Sequence, residues 1–93
     1  MGMFDSLYDS RSREWQTKAF DCLCDRFEVG DLMPEAAAHS YQVEVIGGEH
    51  DQPLIESLAT VRDNALVSTN GPRDERLPLL DYHGTLIAAA KGA

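Results

Sequence analysis

The stretch YQVEVI, residues 41–46, decides the fold class. Apolar and polar residues alternate along it, with Tyr41, Val43 and Val45 on one face and Gln42 and Glu44 on the other. Alternation with a period of two predicts a β-strand that buries one of its faces. Two consecutive glycines follow the strand, and such a pair is typical of a strand end.

The stretch LATVRDNALVST, residues 58–69, extends this pattern into a β-hairpin. Asp63 and Asn64 lie between two apolar runs. Both residue types tolerate the positive φ angles that a two-residue type I′ turn requires. A turn at this position places Val61 opposite Leu66, so we predict two antiparallel strands on either side of it.

A second hairpin is predicted at residues 79–87, LLDYHGTLI, with His83 and Gly84 at its tip. Histidine–glycine is a weaker turn signal than asparagine–glycine. The segments between the predicted strands are rich in glycine, proline and polar residues, and we expect them to be loops. These loops are residues 30–40, with one helical turn at 34–38, residues 47–53, and the polar connection 70–78.

Residues 14–29, EWQTKAFDCLCDRFEV, fit two structures. As a helix, the segment places Trp15, Ala19, Leu23 and Phe27 on one face. As strands, its residues alternate between two faces, and its content of Thr, Trp, Phe, Cys and Val favours this second structure. The periodicity alone leaves the two nearly even, so strands are predicted and a helix stays the open alternative.

These elements predict a single domain that spans residues 1–93, within the usual size range of one domain. About six short strands separated by turn residues indicate an all-β barrel or sandwich with at most a short helix. Residues 1–13 are predicted to be a short anchored arm without regular structure. We expect the two ends of the chain, residues 1–10 and 88–93, to be flexible.

The chain is acidic, with 16 Asp and Glu residues against 8 Lys and Arg and a formal net charge of −8. Nucleic-acid binding depends on a basic surface that neutralises phosphates, and the basic residues here are scattered along the sequence. Direct binding to nucleic acid is therefore not expected. Acidity favours solubility, and it also suits a basic protein partner or mimicry of the phosphates of DNA.

The predicted location is a reducing cytoplasm, without insertion into a membrane. The sequence contains no run of about 18 apolar residues, and its N-terminus lacks the basic and apolar regions of a signal peptide. The two cysteines, Cys22 and Cys24, are too few and too close in sequence to form a disulfide framework.

Two cysteines and three histidines are the candidate metal ligands: Cys22, Cys24, His39, His50 and His83. Structural zinc sites use two cysteines with at least two residues between them, so that both thiolates reach one ion. The C-x-C spacing fits this requirement poorly, and the histidines have no paired spacing. No metal and no other cofactor is predicted, and a small metal-binding module stays a secondary alternative.

Asp81 and His83 could supply two members of a hydrolytic triad. However, no serine lies in a G-x-S-x-G turn, and nothing marks Ser57 or Ser68 as a nucleophile. Pairs of carboxylates are frequent because about one residue in six is acidic. A chain of 93 residues also leaves little room for a glycosidase cleft. The chain is therefore predicted not to be an enzyme.

Two N-terminal segments resemble small proteins encoded by bacteriophages. MGMFDSLYD, residues 1–9, and EWQTKAFDC, residues 14–22, are similar to the MGMFD opening and the F/W-Q-T-K-x2-D-C motif of these proteins. The hairpin at Asp63 and Asn64 is similar to their V-R-D-G hairpin, with Asn64 in place of glycine. The resemblance implies a phage origin, and it favours strands at residues 14–29.

The chain also resembles small cytotoxic proteins of mycobacteriophages. This resemblance implies a protein that binds and inactivates a host protein in the cytoplasm of the infected bacterium, with a DivIVA-type coiled-coil scaffold of polar growth as the candidate target. An acidic DNA mimic that inhibits a host DNA-binding protein is the alternative. The predicted partner contacts are turn residues and aromatic anchors: Trp15, Tyr82, His83, Asp63 and Asn64. For Trp15, burial in the core is the competing interpretation.

Overall fold

The computed structural model describes residues 4–11, 13–20, 26–33, 39–47 and 55–91. All regular structure in these ranges is β, which confirms the predicted all-β class. The strands are β1 (Asp5–Tyr8), β2 (Glu14–Thr17), β3 (Arg26–Glu28), β4 (Tyr41–Gly47), β5 (Ile55–Arg62), β6 (Ala65–Ser68), β7 (Leu79–Leu80) and β8 (Leu86–Ala88). Within these ranges there is no helix with the length and apolar character needed to cross a membrane.

Six strands form a nearly closed barrel in the order β3, β1, β2, β4, β5 and β6. Neighbouring strands are antiparallel, except for β1 and β3, which are parallel. Residues 30–33 continue from β3 and close the ring against β6. The Gly30 amide donates to the Leu66 carbonyl at 2.7 Å, and the Met33 amide donates to the Asn64 carbonyl at 2.6 Å. Gly30 has a φ of +104°, which lets the chain change partner from β1 to β6.

Strand β4 organises the rest of the sheet. One of its edges pairs with β5 along its whole length, from Tyr41 opposite Val61 to Gly47 opposite Ile55. Its other edge pairs with β7 near the start of the strand and with β2 near the end. The β7–β8 hairpin therefore lies outside the six-strand ring, on the part of the β4 edge that β2 leaves open.

Apolar side chains from the wall strands fill the interior of the barrel. Trp15, Tyr41 and Leu7 are among the largest of them, and each is at most 2% exposed. Gly47 packs closely on this indole, since an added Cβ there would lie 2.6 Å from Cε3 of Trp15. The lack of a side chain at Gly47 thus lets the indole pack directly against β4. The other buried apolar residues are Phe20, Met33, Val43, Val45, Ala59, Val61, Leu66, Leu77 and Leu80.

The predictions for the central strand and its hairpin are confirmed. Residues 41–46 lie in β4. Asp63 and Asn64 have φ angles of +50° and +67° in the turn between β5 and β6. Val61 lies opposite Leu66, as the two-residue turn requires.

The structure also confirms the second hairpin and the strand interpretation of residues 14–29. β7 and β8 are antiparallel, and Gly84 has a φ of +87° at their connection. β2 and β3 both lie within residues 14–29, and the described part of that segment contains no helix. Residues 21–25 lie outside the described residues, as do the predicted helical turn at 34–38 and the loop residues 48–53.

The prediction of an irregular N-terminal arm is wrong. The segment contains β1, which lies in the sheet between β2 and β3. β1 buries Asp5 and Leu7 completely and pairs them with Thr17 and Trp15 of β2. A strand of four residues has too few alternating positions to be recognised, so its place depends on partners that are distant in sequence.

The C-terminal segment makes defined contacts as far as the structure describes it. β8 extends to Ala88, and the backbone amide of Lys91 donates to the Glu75 carbonyl at 2.9 Å. The Lys91 ammonium lies 3.4 Å from the Glu75 carboxylate. The loop at residues 70–78 therefore supplies a partner for the end of the chain that local sequence patterns do not reveal.

Tyr41 is fully buried at the start of β4, and burial raises the pKa of its phenol to about 12 from an ordinary value of 10. In the unfolded chain the phenol loses its proton near the ordinary pKa. The free energy of unfolding is therefore unaffected below pH 10 and falls as the pH rises towards 12, by about 2–3 kcal/mol in total. Chemical denaturation across this pH range measures the slope.

Tyr41→Phe is the control for this pH dependence, because it keeps the ring and removes the ionisable group. The slope of the unfolding free energy should shrink in the variant, because the two proteins differ only in the phenol of residue 41. The same slope in both proteins would contradict the assignment to Tyr41.

Candidate functional site

Two neighbouring clefts lie on the outside of β4 and β5. Residues opposite each other on paired strands share a face of the sheet. Because Tyr41, Val43 and Val45 point inward, the outward pairs are Gln42 with Thr60, Glu44 with Leu58, and Ile46 with Glu56. The first pair lines one cleft and the last pair lines the other. We call this surface the β4–β5 outer face.

The cleft lined by Ile46 and Glu56, which we call the tip cleft, has a volume of 420 Å³. It contains apolar, acidic, basic and aromatic groups in close proximity. Its lining residues are Lys18, Glu44, Val45, Ile46, Glu56, Tyr82 and His83. This mixture suits a contact in which an aromatic group packs on apolar surface and is surrounded by charges.

The tip of the β7–β8 hairpin is held in place by backbone hydrogen bonds. The Asp81 carboxylate accepts the amides of His83 and Thr85, each at 2.9 Å. The Lys18 amide donates to the Tyr82 carbonyl at 2.8 Å, which attaches the tip to the end of β2. The rings of Tyr82 and His83 meet edge to face, with centroids 5.3 Å apart. Two partly accessible aromatic rings are thus fixed beside the tip cleft.

The cleft lined by Gln42 and Thr60, which we call the arginine groove, has a volume of 780 Å³. It lies between the β5–β6 hairpin and the loop at residues 70–78. Three guanidinium groups line it, from Arg62, Arg73 and Arg76, together with two carboxylates, from Asp74 and Glu75. The other lining residues are Gln42, Thr60, Val67, Ser68, Gly71 and Pro72.

Gln42 connects the barrel wall to this loop. Its Nε2 donates to Oγ1 of Thr60 at 3.1 Å and to the carbonyl of Pro72 at 2.8 Å. Its Oε1 accepts from Nη1 of Arg73 at 2.9 Å and from the backbone amide of Asp74 at 2.8 Å. The side chain is 1% exposed and all its hydrogen-bonding positions are used. This buried network fixes the loop relative to β4 and β5.

Asp74 holds the other two arginines of the groove. Its carboxylate accepts from Nη2 of Arg62 at 3.0 Å and from Nε of Arg76 at 3.2 Å. Hydrogen bonds from the Arg76 side chain and amide, and then from Arg62, hold the pKa of Asp74 well below its usual range. Asp74 is therefore ionised at neutral pH and keeps both guanidinium groups beside the groove.

The predicted turn contacts do not form one surface. Tyr82 and His83 lie together at the tip cleft. Asp63 and Asn64 lie in the β5–β6 turn, near the other end of β4, and a strand of seven residues is roughly 20 Å long. The amide of Asn64 also donates to the carbonyl of His39 at 2.8 Å, which ties this turn to the start of β4.

Trp15 is not placed to contact a partner. It lies inside the barrel with 2% of its surface exposed. The prediction that Trp15 is an aromatic anchor for a partner is therefore wrong. The competing interpretation, that Trp15 is buried in the core, is correct. A large aromatic residue contributes most to stability when it is buried between neighbouring strands. Trp15 lies between β1 and β4, opposite Leu7 on one side and Gly47 on the other.

The residues considered for catalysis and metal binding have structural contacts or lie outside the described ranges. Asp81 caps its own turn by accepting two backbone amides. Within the described ranges, no three His, Cys, Asp or Glu side chains are grouped closely enough to hold a metal ion. Cys22, Cys24 and His50 lie outside the described residues.

The arginine groove is a site that the sequence does not predict. Its arginines come from a strand end and from a loop, and in the sequence they count only as part of a scattered set. One signal is nevertheless present, since three of the eight basic residues lie within residues 62–76. Folding brings them together because the loop at residues 70–78 returns across the β5–β6 hairpin.

Comparison of the chain with protein-family models, with curated proteins and with solved structures finds no match. The function of the two clefts is therefore inferred from the geometry and chemistry of their own side chains.

Proposed function

We propose that this chain is a phage protein that binds a host bacterial protein through its β4–β5 outer face and inactivates it during infection. The observation that carries the proposal is the Tyr82–His83 ring pair, fixed at the rim of the tip cleft. Ile46 supplies apolar surface beside it, and Glu44 and Glu56 supply charge. The protein acts in the cytoplasm of the infected cell, by binding and not by catalysis.

Energetics support this surface as a protein interface. Aromatic side chains contribute disproportionately to binding when polar groups around them exclude water. A hairpin tip that is already ordered also loses little conformational entropy when a partner binds. The second condition holds for Tyr82 and His83, whose turn is fixed by Asp81 and by the end of β2. For the first, Lys18, Glu44 and Glu56 supply polar groups around the cleft.

A DivIVA-type coiled-coil scaffold of polar growth is the candidate target. Its surface would offer charged helix faces and apolar grooves, which match the mixed composition of the tip cleft. The resemblance of MGMFDSLYD and EWQTKAFDC to phage proteins supports a target inside an infected bacterium.

Mimicry of DNA is the less favoured alternative. A mimic needs carboxylates spaced like phosphates along one face. Here Glu28 lies on β3 and Glu44 lies on β4, and these two strands are three positions apart in either direction around the six-strand ring. These two carboxylates therefore do not share one face of the barrel, an arrangement that favours solubility over mimicry.

The double variant Tyr82→Ala/His83→Ala tests the proposal. We expect its affinity for the purified scaffold to fall by at least about tenfold, because truncating an aromatic hot spot costs about 2 kcal/mol or more. Biolayer interferometry with immobilised scaffold measures the dissociation constants. In mycobacterial cells, expression of the unmodified chain should produce bulging or rounded cells, and the variant should not.

The matched control is Tyr8→Ala/His39→Ala, which removes the same two residue types away from both clefts. Its affinity should stay within about twofold of the unmodified protein. Equal losses in both double variants would contradict a role for the tip cleft. Filamentous cells would point to DNA metabolism or division and would oppose the proposed target.

A further inference from the structure

The arginine groove has a charge that differs in sign from that of the whole chain. Three guanidinium groups against two carboxylates give its lining a formal charge of +1, whereas the chain carries −8. Three of the eight basic residues of the chain meet there. A negatively charged group that approaches the protein is therefore repelled by the overall charge and attracted at this groove.

The groove arginines retain capacity to bind a ligand. A guanidinium group has five N–H donors. Among the hydrogen bonds of the described residues, Arg62 donates through Nη2 alone, and the Arg76 side chain donates through Nε and Nη2 to the Asp74 carboxylate. Their side chains are 48% and 79% exposed. Both groups can therefore donate further hydrogen bonds to an anion without leaving Asp74.

The groove is also organised before any ligand binds. Asp74 fixes Arg62 and Arg76, while Nη1 of Arg73 donates to Gln42 and to the carbonyl of Leu77. Arg73 thus holds the loop and adds its charge to the groove, and the other two arginines supply the donors for a ligand. Preorganised donors bind more tightly than mobile ones, because less conformational entropy is lost.

We propose that the arginine groove binds an acidic peptide segment, whose side-chain carboxylates contact Arg62 and Arg76. Planar guanidinium groups match carboxylates in a bidentate geometry. A volume of 780 Å³ exceeds what one small anion fills, and Val67 and Pro72 add apolar surface for the rest of a peptide. This inference rests on the proposed function and names the chemistry of the partner: an acidic stretch beside the surface that contacts the tip cleft.

Fluorescence anisotropy with a short labelled oligoglutamate peptide tests the inference at low ionic strength. We expect this peptide to bind, an oligoglutamine peptide of equal length not to bind, and the affinity for oligoglutamate to fall as salt is added. Equal binding of both peptides would overturn the proposal. Inorganic phosphate is the competitor, and complete displacement of the peptide at an equal concentration of phosphate would assign the groove to single anions instead.

The variant Arg62→Gln/Arg76→Gln should bind oligoglutamate at least about tenfold more weakly. The control Arg13→Gln/Arg26→Gln changes the net charge equally with residues that do not line the groove, and it should bind within about twofold of the unmodified protein. Arg62→Lys/Arg76→Lys keeps both charges without the planar donors and should give an intermediate affinity. Equal weakening in the two glutamine variants would show a general charge effect and overturn the proposal.

Failure of this inference can be distinguished from failure of the proposed function. If Arg62→Gln/Arg76→Gln binds the purified scaffold as well as the unmodified chain does, the groove does not contact the partner and the tip cleft can still do so. If oligoglutamate binds as expected and the scaffold does not, the groove assignment holds and the proposed target is wrong.

Discussion

Trp15→Ala will lower the free energy of unfolding by about 3–5 kcal/mol, the usual cost of deleting a large buried aromatic side chain. The indole packs between Leu7 of β1 and Gly47 of β4 and is 2% exposed. Because residue 47 is glycine, β4 has no side chain beside the indole that could fill the space left by alanine. Urea denaturation followed by circular dichroism measures the change. Because the free energy of unfolding of a small domain is only several kcal/mol, the variant should be largely unfolded at 37 °C.

Trp15→Phe is the matched control, because it keeps an aromatic ring in the barrel. Nε1 of Trp15 is buried and has no hydrogen-bond partner in the described part of the chain. The pKa of Asp9 is lowered, against its partial desolvation, first by the backbone amides of Arg13 and Arg11, and the indole contributes less than either. Phenylalanine therefore removes no strong polar contact and should cost about 1–2 kcal/mol less than the alanine variant. If alanine costs under about 1 kcal/mol, Trp15 is not the core residue described here.

We expect Gln42→Leu to lower the free energy of unfolding by roughly 3 kcal/mol, because it removes four hydrogen bonds and leaves their partners inside a buried network. The effect should be local as well as global. The backbone amide of Asp74 loses its acceptor, and the carbonyl of Pro72 loses its donor. Amide hydrogen exchange in the loop at residues 70–78 should therefore accelerate relative to exchange in β1 and β2.

Thr60→Val is the control for this network, because it removes only the acceptor of one Nε2 hydrogen bond. This variant should lower the free energy of unfolding by about 1 kcal/mol and leave amide hydrogen exchange in the loop nearly unchanged. Equal costs for Gln42→Leu and Thr60→Val would mean that Gln42 does not hold the loop. A Gln42→Leu variant as stable as the unmodified protein would lead to the same conclusion.

The parts of the fold that the sequence predicts are those with local signals. The alternation at residues 41–46 marks β4, and Asp63 with Asn64 marks the turn between β5 and β6, because both depend on residues close together in the chain. Strand β1 lacks such a signal, since its partners are at residues 14–17 and 26–28 and its length is four residues.

In the candidate site, too, the sequence predicts only the features that depend on residues close together in the chain. Tyr82 and His83 can be predicted as accessible, because a hairpin tip exposes its residues whatever it packs against. Arg62 and Arg76 cannot be predicted to share a groove, since their common partner Asp74 lies on a loop whose course depends on the buried contacts of Gln42. Trp15 is ambiguous in the sequence for a related reason, because its burial depends on β1 and on the glycine at position 47.

Hydrogen–deuterium exchange of the chain, alone and bound to the purified polar-growth scaffold, is the decisive measurement for partner binding through the β4–β5 outer face. We expect slower exchange on this face, in residues 42–46, 56–60 and 71–84, and unchanged exchange in β1 and β3. Slower exchange confined to β1 and β3, or no binding to the scaffold, would contradict binding through this face.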